Sequence, residues 1–370
     1  MSSRLGVRAA LVGGAWVDGD VEIDDGRIVA TGLTGPAGPR RGGGVAVPGF
    51  VDLQLNGVAG VDFRTADRDA YALAAQRLAG TGTTAFLPTF YSTSIDAYVA
   101  ALALLHRVRS RPPIGARLLG AHLEGPFLSQ RWAGAHDPRA LVEPDLVVLH
   151  RLLGAGPIAL MTLAPELPGA DSILTRLISA GVVVSMGHTD ADAGATHAAA
   201  DRGVSMITHC WNSHRRFAPR DPGPAAVALA RLVVGLICDR VHVADDALRL
   251  SFAAAPGRVC VVTDAVAPAG TEDRSWSIDG VEVTVGDGRA TLADGTLAGS
   301  VVTMDRSLRN LIEIGIDPAT AITAMSSVPA RVVGLGPHDL TTSTVADVVV
   351  LDDDWRVRRT LVAGDVVHSG

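Results

Sequence analysis

Three side chains able to hold one metal ion end three separate apolar runs of this chain: Glu124, His188 and His209. Glu124 closes Leu118-Leu119-Gly120-Ala121-His122-Leu123-Glu124, and Gly125-Pro126 then stops the run. A carboxylate at the tip of a buried strand is costly unless it is hydrogen-bonded, paired or bound to metal. His122, two residues back, points to the same side and needs no separate role beyond support or packing. Two neutral imidazoles and one carboxylate make a three-ligand zinc set with a position open to water. Metal in such a set acidifies its water and polarises a carbonyl. Asp264 ends a further apolar run, Val261-Val262-Thr263-Asp264. It reads either as a helix N-cap or as the general base that takes the water proton and returns it to the leaving group.

Gln54 and Asn56 end the first such run, where many barrel hydrolases place His-x-His to complete a second metal site. Neutral amides are poor zinc ligands, so one metal is expected rather than two. Between residues 211 and 221, His214, Arg215, Arg216 and Arg220 precede an Ala-rich helix. With His242 they read either as a fork of donors for an anion or as a solvated charged loop. His106, His150, His197, His338 and His368 fall on expected helices or surface loops and call for no function.

The elements that must position these groups alternate. Strands are expected at 50–55, 85–90, 117–123, 158–164, 182–186, 206–210, 233–237 and 259–263. Helices are expected at 67–79, 94–109, 144–153, 171–180, 191–202, 245–254 and 304–314. Such alternation implies parallel strands with crossover helices. About eight of them predict a TIM-like (β/α)8 barrel, whose active sites form at the C-terminal ends of the strands. Residues 1–47 and 335–370 carry short strand-like runs with Gly/Asp turns, Asp25-Gly26 among them, and predict one small β-sandwich built from both termini. Residues 35–44 read as a Gly/Pro/Arg loop. The barrel then spans 48–334, with a β-hairpin insertion around 275–297 turning at Asp279-Gly280, Asp287-Gly288 and Asp294-Gly295.

Composition narrows the chemistry. All 32 basic residues are arginine and the chain has no lysine. Schiff-base chemistry, the Walker A loop and carboxylated-lysine metal bridges are therefore excluded. The formal charge of −7 speaks against a general nucleic-acid binder. No apolar run approaches the roughly 20 residues of a membrane span, and the start of the chain does not read as a signal peptide. Cys210, Cys238 and Cys260 lack CxxC spacing and read as reduced, buried thiols of a cytoplasmic protein.

Taken in order, the motifs resemble the N-acetylglucosamine-6-phosphate deacetylase family of the amidohydrolase superfamily. The matching pieces include Pro48-Gly49-Phe50-Val51-Asp52-Leu53-Gln54-Leu55-Asn56-Gly57, His122-Leu123-Glu124-Gly125-Pro126, Gly187-His188-Thr189-Asp190-Ala191, Thr208-His209 with Asn212, Val241-His242-Val243 and Val262-Thr263-Asp264-Ala265. The resemblance implies a barrel with a small β-sandwich, and hydrolysis of the N-acetyl group of N-acetylglucosamine 6-phosphate. It places Glu124, His188 and His209 on one divalent ion per subunit, most simply Zn2+, and Asp264 as catalytic acid/base. It places His136 against the acetamido carbonyl, and Asn212, Ser213, Arg220 and His242 at the sugar phosphate. It also implies a homodimer whose phosphate site is shared across the interface. Asn212-Ser213-His214 departs from the family's Asn-Ala-Met, which leaves N-acetylgalactosamine 6-phosphate as an alternative substrate. A non-catalytic sugar-phosphate binder is the alternative of another class, and bound metal discriminates the two.

Overall fold

The computed structural model describes residues 2–34, 43–271, 275–278, 281–286, 288–293, 295 and 297–370. Eight parallel strands form its centre: β1 (Phe50–Leu55), β2 (Thr83–Tyr91), β3 (Ala121–Glu124), β4 (Ile158–Leu163), β5 (Val183–Met186), β6 (Met206–Ile207), β7 (Val233–Ile237) and β8 (Val259–Val262). Each pairs with the next in sequence, as short right-handed crossovers through helices require. The ring closes just past the ends of β8 and β1. There the Asp264 N–H donates to the Gln54 carbonyl at 2.8 Å, and the Asn56 N–H donates to the Ala265 carbonyl at 2.8 Å. The closing seam is thus made by residues that also carry candidate site side chains.

Two expected strands are shorter than the apolar runs suggest. The run at 117–123 splits into Arg117–Leu118 and Ala121–Glu124, because the Leu119 N–H turns to the Phe86 carbonyl. The run at 206–210 stops at Ile207, because His209 leaves the extended region with φ 31°. The expected helices form at Arg68–Gly80, Ile95–Ser110, Leu146–Ala155, Ala170–Ser179, Ala193–Asp201, Asp245–Ala254 and Met304–Glu313, and the Ala-rich helix at Gly223–Arg231. Pro318–Met325 and Ser327–Val332 are further helices that their small, evenly apolar residues hide from periodicity. Asp317 before Pro318 is the signal that could have found the first, since its carboxylate accepts the Thr320 N–H at 2.9 Å.

The barrel interior below the site is packed with short polar side chains bonded to one another. His122 bonds Thr162 at 2.8 Å, Thr162 bonds Thr208 at 2.7 Å, and Ser185 bonds Thr208 at 2.6 Å. All four are wholly buried, so each group's desolvation is offset only because the chain of bonds is complete. His122 is therefore a support one layer beneath Glu124, and burial pushes its pKa down to about 4.

Both termini build the second body. One sheet runs Asp365–Ser369, Val357–Val362, Val348–Leu351, Val45–Pro48, Ala9–Val12, Ala15–Asp18. A three-stranded sheet of Ser3–Arg4, Asp20–Asp24 and Arg27–Leu33 shares with it a core of Val21, Ile23, Ile28, Val348 and Val350. Asp25 and Gly26 both take positive φ between paired Asp24 and Arg27, the tight turn that their types predict. His338 is buried rather than on a surface loop, because its Nε2–H donates to the carbonyl of Gly49 at 2.8 Å, just before β1.

The insertion is a four-stranded sheet of Ser275–Ile278, Val281–Gly286, Arg289–Thr291 and Leu297–Ser300. Of its expected turns, residues 279, 280, 287 and 294 lie outside the described residues, as do residues 35–42 of the expected loop. The three cysteines are free and buried. Among the described residues no helix is long and apolar enough to cross a membrane.

Candidate active site

The side chains able to do chemistry stand where strands end. Glu124 is the last residue of β3, while His188, His209 and Asp264 lie two residues past β5, β6 and β8. The last three take left-handed backbone, with φ of 47°, 31° and 48°. That conformation costs a non-glycine residue roughly 1–3 kcal/mol and persists where the surroundings over-determine it, as at functional sites. Nothing in an apolar run followed by His or Asp announces such a turn, so the sequence could place these residues but not aim them.

Glu124 Oε1 lies 2.9 Å from His209 Nε2 and 3.3 Å from His188 Nε2, and the two nitrogens are 3.1 Å apart. Donors around one tetrahedral ion with bonds of roughly 2.0–2.2 Å are spaced in this way. His188 Nδ1–H donates to the Trp132 carbonyl at 2.8 Å, which orients the ring with Nε2 toward the cluster. The electrostatics favour a cation there. Burial alone would raise the Glu124 carboxyl, yet the His188 and His209 contacts hold it well below the ordinary range. Burial likewise opposes charge on His209, yet Glu124 pulls it up to about 9. The residues fit a divalent ion: three buried donors converge, with their ligand atoms within 4.8 Å of one another.

Beside the triangle, Asp264 is raised to about 6 by burial and by the charge of Glu124. Gln54 Nε2–H donates to Glu124 Oε1 at 3.0 Å and to Asp264 Oδ1 at 3.1 Å, and Asn56 Nδ2–H donates to Asp264 Oδ1 at 2.7 Å. Gln54 thus stands between the two carboxylates and donates to both, while Asn56 donates to Asp264. One layer below, Asp52 accepts from the Thr263 hydroxyl at 2.6 Å and from the Thr263 N–H at 3.2 Å, which fixes the strand end that presents Asp264.

His136 faces the triangle from the loop after β3, with Nε2 3.7 Å from Glu124 Oε2. The Ser92 N–H donates to its Nδ1 at 3.2 Å, so the proton of the neutral ring sits on Nε2. Burial pushes its pKa down to about 3, and the ring stays an uncharged donor. Asn212, Ser213 and His242 line the same cavity, of about 750 Å³. Asp239 orients His242 through a 2.6 Å bond to Nδ1.

Arg220 is not brought to this cavity within the chain, and it stands exposed on its loop. The arrangement of 211–221 has a physical reason. His214 is buried, accepting the Trp211 N–H at 2.8 Å and donating to the Arg215 carbonyl at 2.9 Å, while Arg215 pairs with Asp221 at 2.7 Å. Both side chains brace their own loop instead of gathering with His242 into an anion fork. Sequence reasoning missed Asp190, which accepts the Trp132 indole N–H at 2.8 Å and an Arg131 N–H at 2.8 Å, fixing the segment whose carbonyl orients His188. It also missed Arg64 and Tyr91, which line the cavity. Asp190 has a legible signal, two positions after the candidate ligand His188, whereas Arg64 and Tyr91 have none.

A parallel barrel carrying a buried carboxylate–imidazole metal site and an adjacent carboxylate at its C-terminal mouth defines a metal-dependent hydrolase of the barrel type. No protein-family model matches the chain. The N-acetylglucosamine-6-phosphate deacetylase of Bos taurus is 36% identical over 345 residues, covering 88% of this chain and 84% of that protein. The N-acetylgalactosamine-6-phosphate deacetylase of Escherichia coli O157:H7 is 31% identical over 374 residues, covering 99% of each. Among solved structures, a mutant N-acetyl-D-glucosamine-6-phosphate deacetylase from Mycobacterium smegmatis, in complex with N-acetyl-D-glucosamine-6-phosphate, superposes with TM-score 0.92 at 32% identity, over 100% of this chain and 99% of that one. The chain belongs to the N-acetylglucosamine-6-phosphate deacetylase family.

Proposed function

We propose that the protein hydrolyses the N-acetyl group of N-acetylglucosamine 6-phosphate, giving glucosamine 6-phosphate and acetate. The observation that carries this reading is the convergence of Glu124, His188 and His209 next to Asp264, with donors to both carboxylates and a neutral His136 opposite. Glu124, His188 and His209 would hold one divalent ion, Zn2+ by the softness of two imidazoles and the small ligand number. When bound, that ion supplies Lewis-acid polarisation of the amide carbonyl and lowers the pKa of water. Asp264 takes the proton of the attacking water and passes it to the departing amine nitrogen. His136 donates its Nε2–H to the carbonyl oxygen as negative charge develops there. Asn212, Ser213 and His242 seat the sugar phosphate.

Arg220 reaches solvent beyond the cavity, in keeping with a phosphate contact made to a partner subunit of a homodimer. We take residues 1–47 with 335–370 as the β-sandwich domain and 48–334 as the barrel domain, in a cytoplasmic enzyme. The 31% identity to an N-acetylgalactosamine-6-phosphate deacetylase over 99% of the chain supports that epimer as the second reading. Acetate release from both N-acetylhexosamine 6-phosphates and their unphosphorylated forms tests the proposal. The gluco phosphate is expected to be cleaved fastest, and cleavage confined to the galacto phosphate, or to unphosphorylated sugars, contradicts it.

A further inference from the structure

The turn that follows β3 reaches His188 by more than the one bond that orients its ring. Gln130–Trp132 form a short 3-10 turn, and His188 is bonded to both of its ends. The Ser129 N–H, just before the turn, donates to the His188 carbonyl at 2.9 Å, while the Trp132 carbonyl accepts His188 Nδ1–H at 2.8 Å. The Trp132 indole N–H in turn donates to Asp190 Oδ1 at 2.8 Å, two residues along from His188. These bonds close a ring. It runs from imidazole to Trp132 carbonyl, from Trp132 indole to Asp190 carboxylate, and along the backbone to the imidazole again. Glu166, past the end of β4, holds the base of that ring: its carboxylate accepts the Asp190 N–H at 2.6 Å and the Thr189 hydroxyl.

A closed ring fixes what the backbone alone leaves loose. His188 has φ 47°, a conformation that a residue with a side chain keeps only where its surroundings over-determine it. A ligand imidazole is aimed by the partner of its second nitrogen, and that partner governs how tightly the ion is held. Here the partner is a backbone carbonyl, whose place depends on what pins its own residue. Trp132 is pinned through its indole to Asp190, on the same segment as the imidazole that it helps to aim. We propose that Trp132 and Asp190 are positioning residues for the metal, holding His188 in its ligating orientation so that binding an ion need not order it. The inference rests on the reading of Glu124, His188 and His209 as a metal site.

Asp190 has a second way to act, through its charge. Arg131 Nη1 lies 2.8 Å from its Oδ2, and Arg215 Nη1 lies 3.9 Å from its Oδ1. The Arg131 side chain is 71% exposed, where an ion pair contributes little. Asparagine at this position keeps a carbonyl oxygen for the indole and carries no charge, so Asp190→Asn separates the bond from the charge.

The test reads metal affinity and needs no turnover. The protein is stripped of metal and titrated with Zn2+ in competition with a chromophoric chelator, and thermal unfolding of the stripped proteins shows that each variant is folded when its affinity is read. The Kd for Zn2+ is expected to rise by ~10–100-fold in Trp132→Phe and in Asp190→Ala, the usual effect of losing a group that orients a ligand. In Asp190→Asn it is expected to stay close to the wild-type value. Trp132→Phe removes a single N–H and keeps an aromatic ring, so the test stands on it even where Asp190→Ala fails to fold. Wild-type affinity in Trp132→Phe overturns the positioning role alone, as does a loss in Asp190→Asn as large as that in Asp190→Ala. A wild type that takes up no Zn2+ defeats the metal site and the positioning residues with it.

Discussion

Asp264 is the residue to which the proposed mechanism gives both proton transfers, and its surroundings set the pH at which it could act. Burial first, and Glu124 next, raise its carboxyl to about 6, while the Asn56 amide works in the opposite direction. The base must be ionised to accept a proton, so kcat/KM is expected to be lost as pH falls through about 6 and to level off above it. Replacing Asn56 by Ala removes a 2.7 Å donor from the carboxylate. The acid limb should then move to higher pH, and a pH–rate profile of the two proteins checks the direction. A limb that stays in place would mean that another group titrates in the wild-type profile. The types and rough positions of Glu124, His188, His209 and Asp264 could be read from the chain because polar residues ending apolar runs are conspicuous. What Gln54 and Asn56 do could not, since an amide's bonding partners lie on strands distant in sequence.

At the scale of the element, β1 and β8 are joined where the site is built, and Asp52 is the buried clasp. It accepts the Gln54 N–H, the Thr263 N–H and the Thr263 hydroxyl, and burial raises it to about 7 from an ordinary 3.8. The folded state keeps this proton up to about 7 while the unfolded chain releases it near 3.8, so its contribution to stability is greatest below 3.8, declines between the two and is flat above. Asp52→Asn keeps the acceptor oxygen and cannot ionise. Thermal unfolding of that variant should vary less between pH 5 and pH 8 than the wild type does. Asp52→Ala leaves donors unpaired and should cost roughly 1–3 kcal/mol for each one buried. An unchanged melting profile in both variants would contradict the clasp. Strand and helix existence was legible here from alternation, but ends were not. β6 stops early because His209 must turn, and the Pro318–Met325 helix hides in small residues without a stripe.

Over the whole molecule, the sandwich of the two termini and the barrel meet at β1: Val45–Pro48 pairs with Val348–Leu351 and runs on into Phe50–Leu55. The same short stretch that belongs to the terminal sheet leads directly to Gln54 and Asn56 at the site, so one end of the fold feeds the other. The alternation of elements and the texture of the termini made this architecture readable from the chain. The stack of Arg64 over Tyr91 and the folded-in loop of His214 were not readable, because both depend on which residues come face to face in the fold. The central claim is that a metal triangle of Glu124, His188 and His209 works with Asp264 as its proton carrier to cleave an N-acetylated sugar phosphate. Metal content and acetate release, measured together on the wild type and on Asp264→Asn, test it most directly. The account predicts one divalent ion in each protein, and turnover of N-acetylglucosamine 6-phosphate lower in the variant by ~10²–10⁴-fold, the usual contribution of a positioned acid–base group. Wild-type turnover in Asp264→Asn, or full turnover by enzyme stripped of its ion, would contradict it.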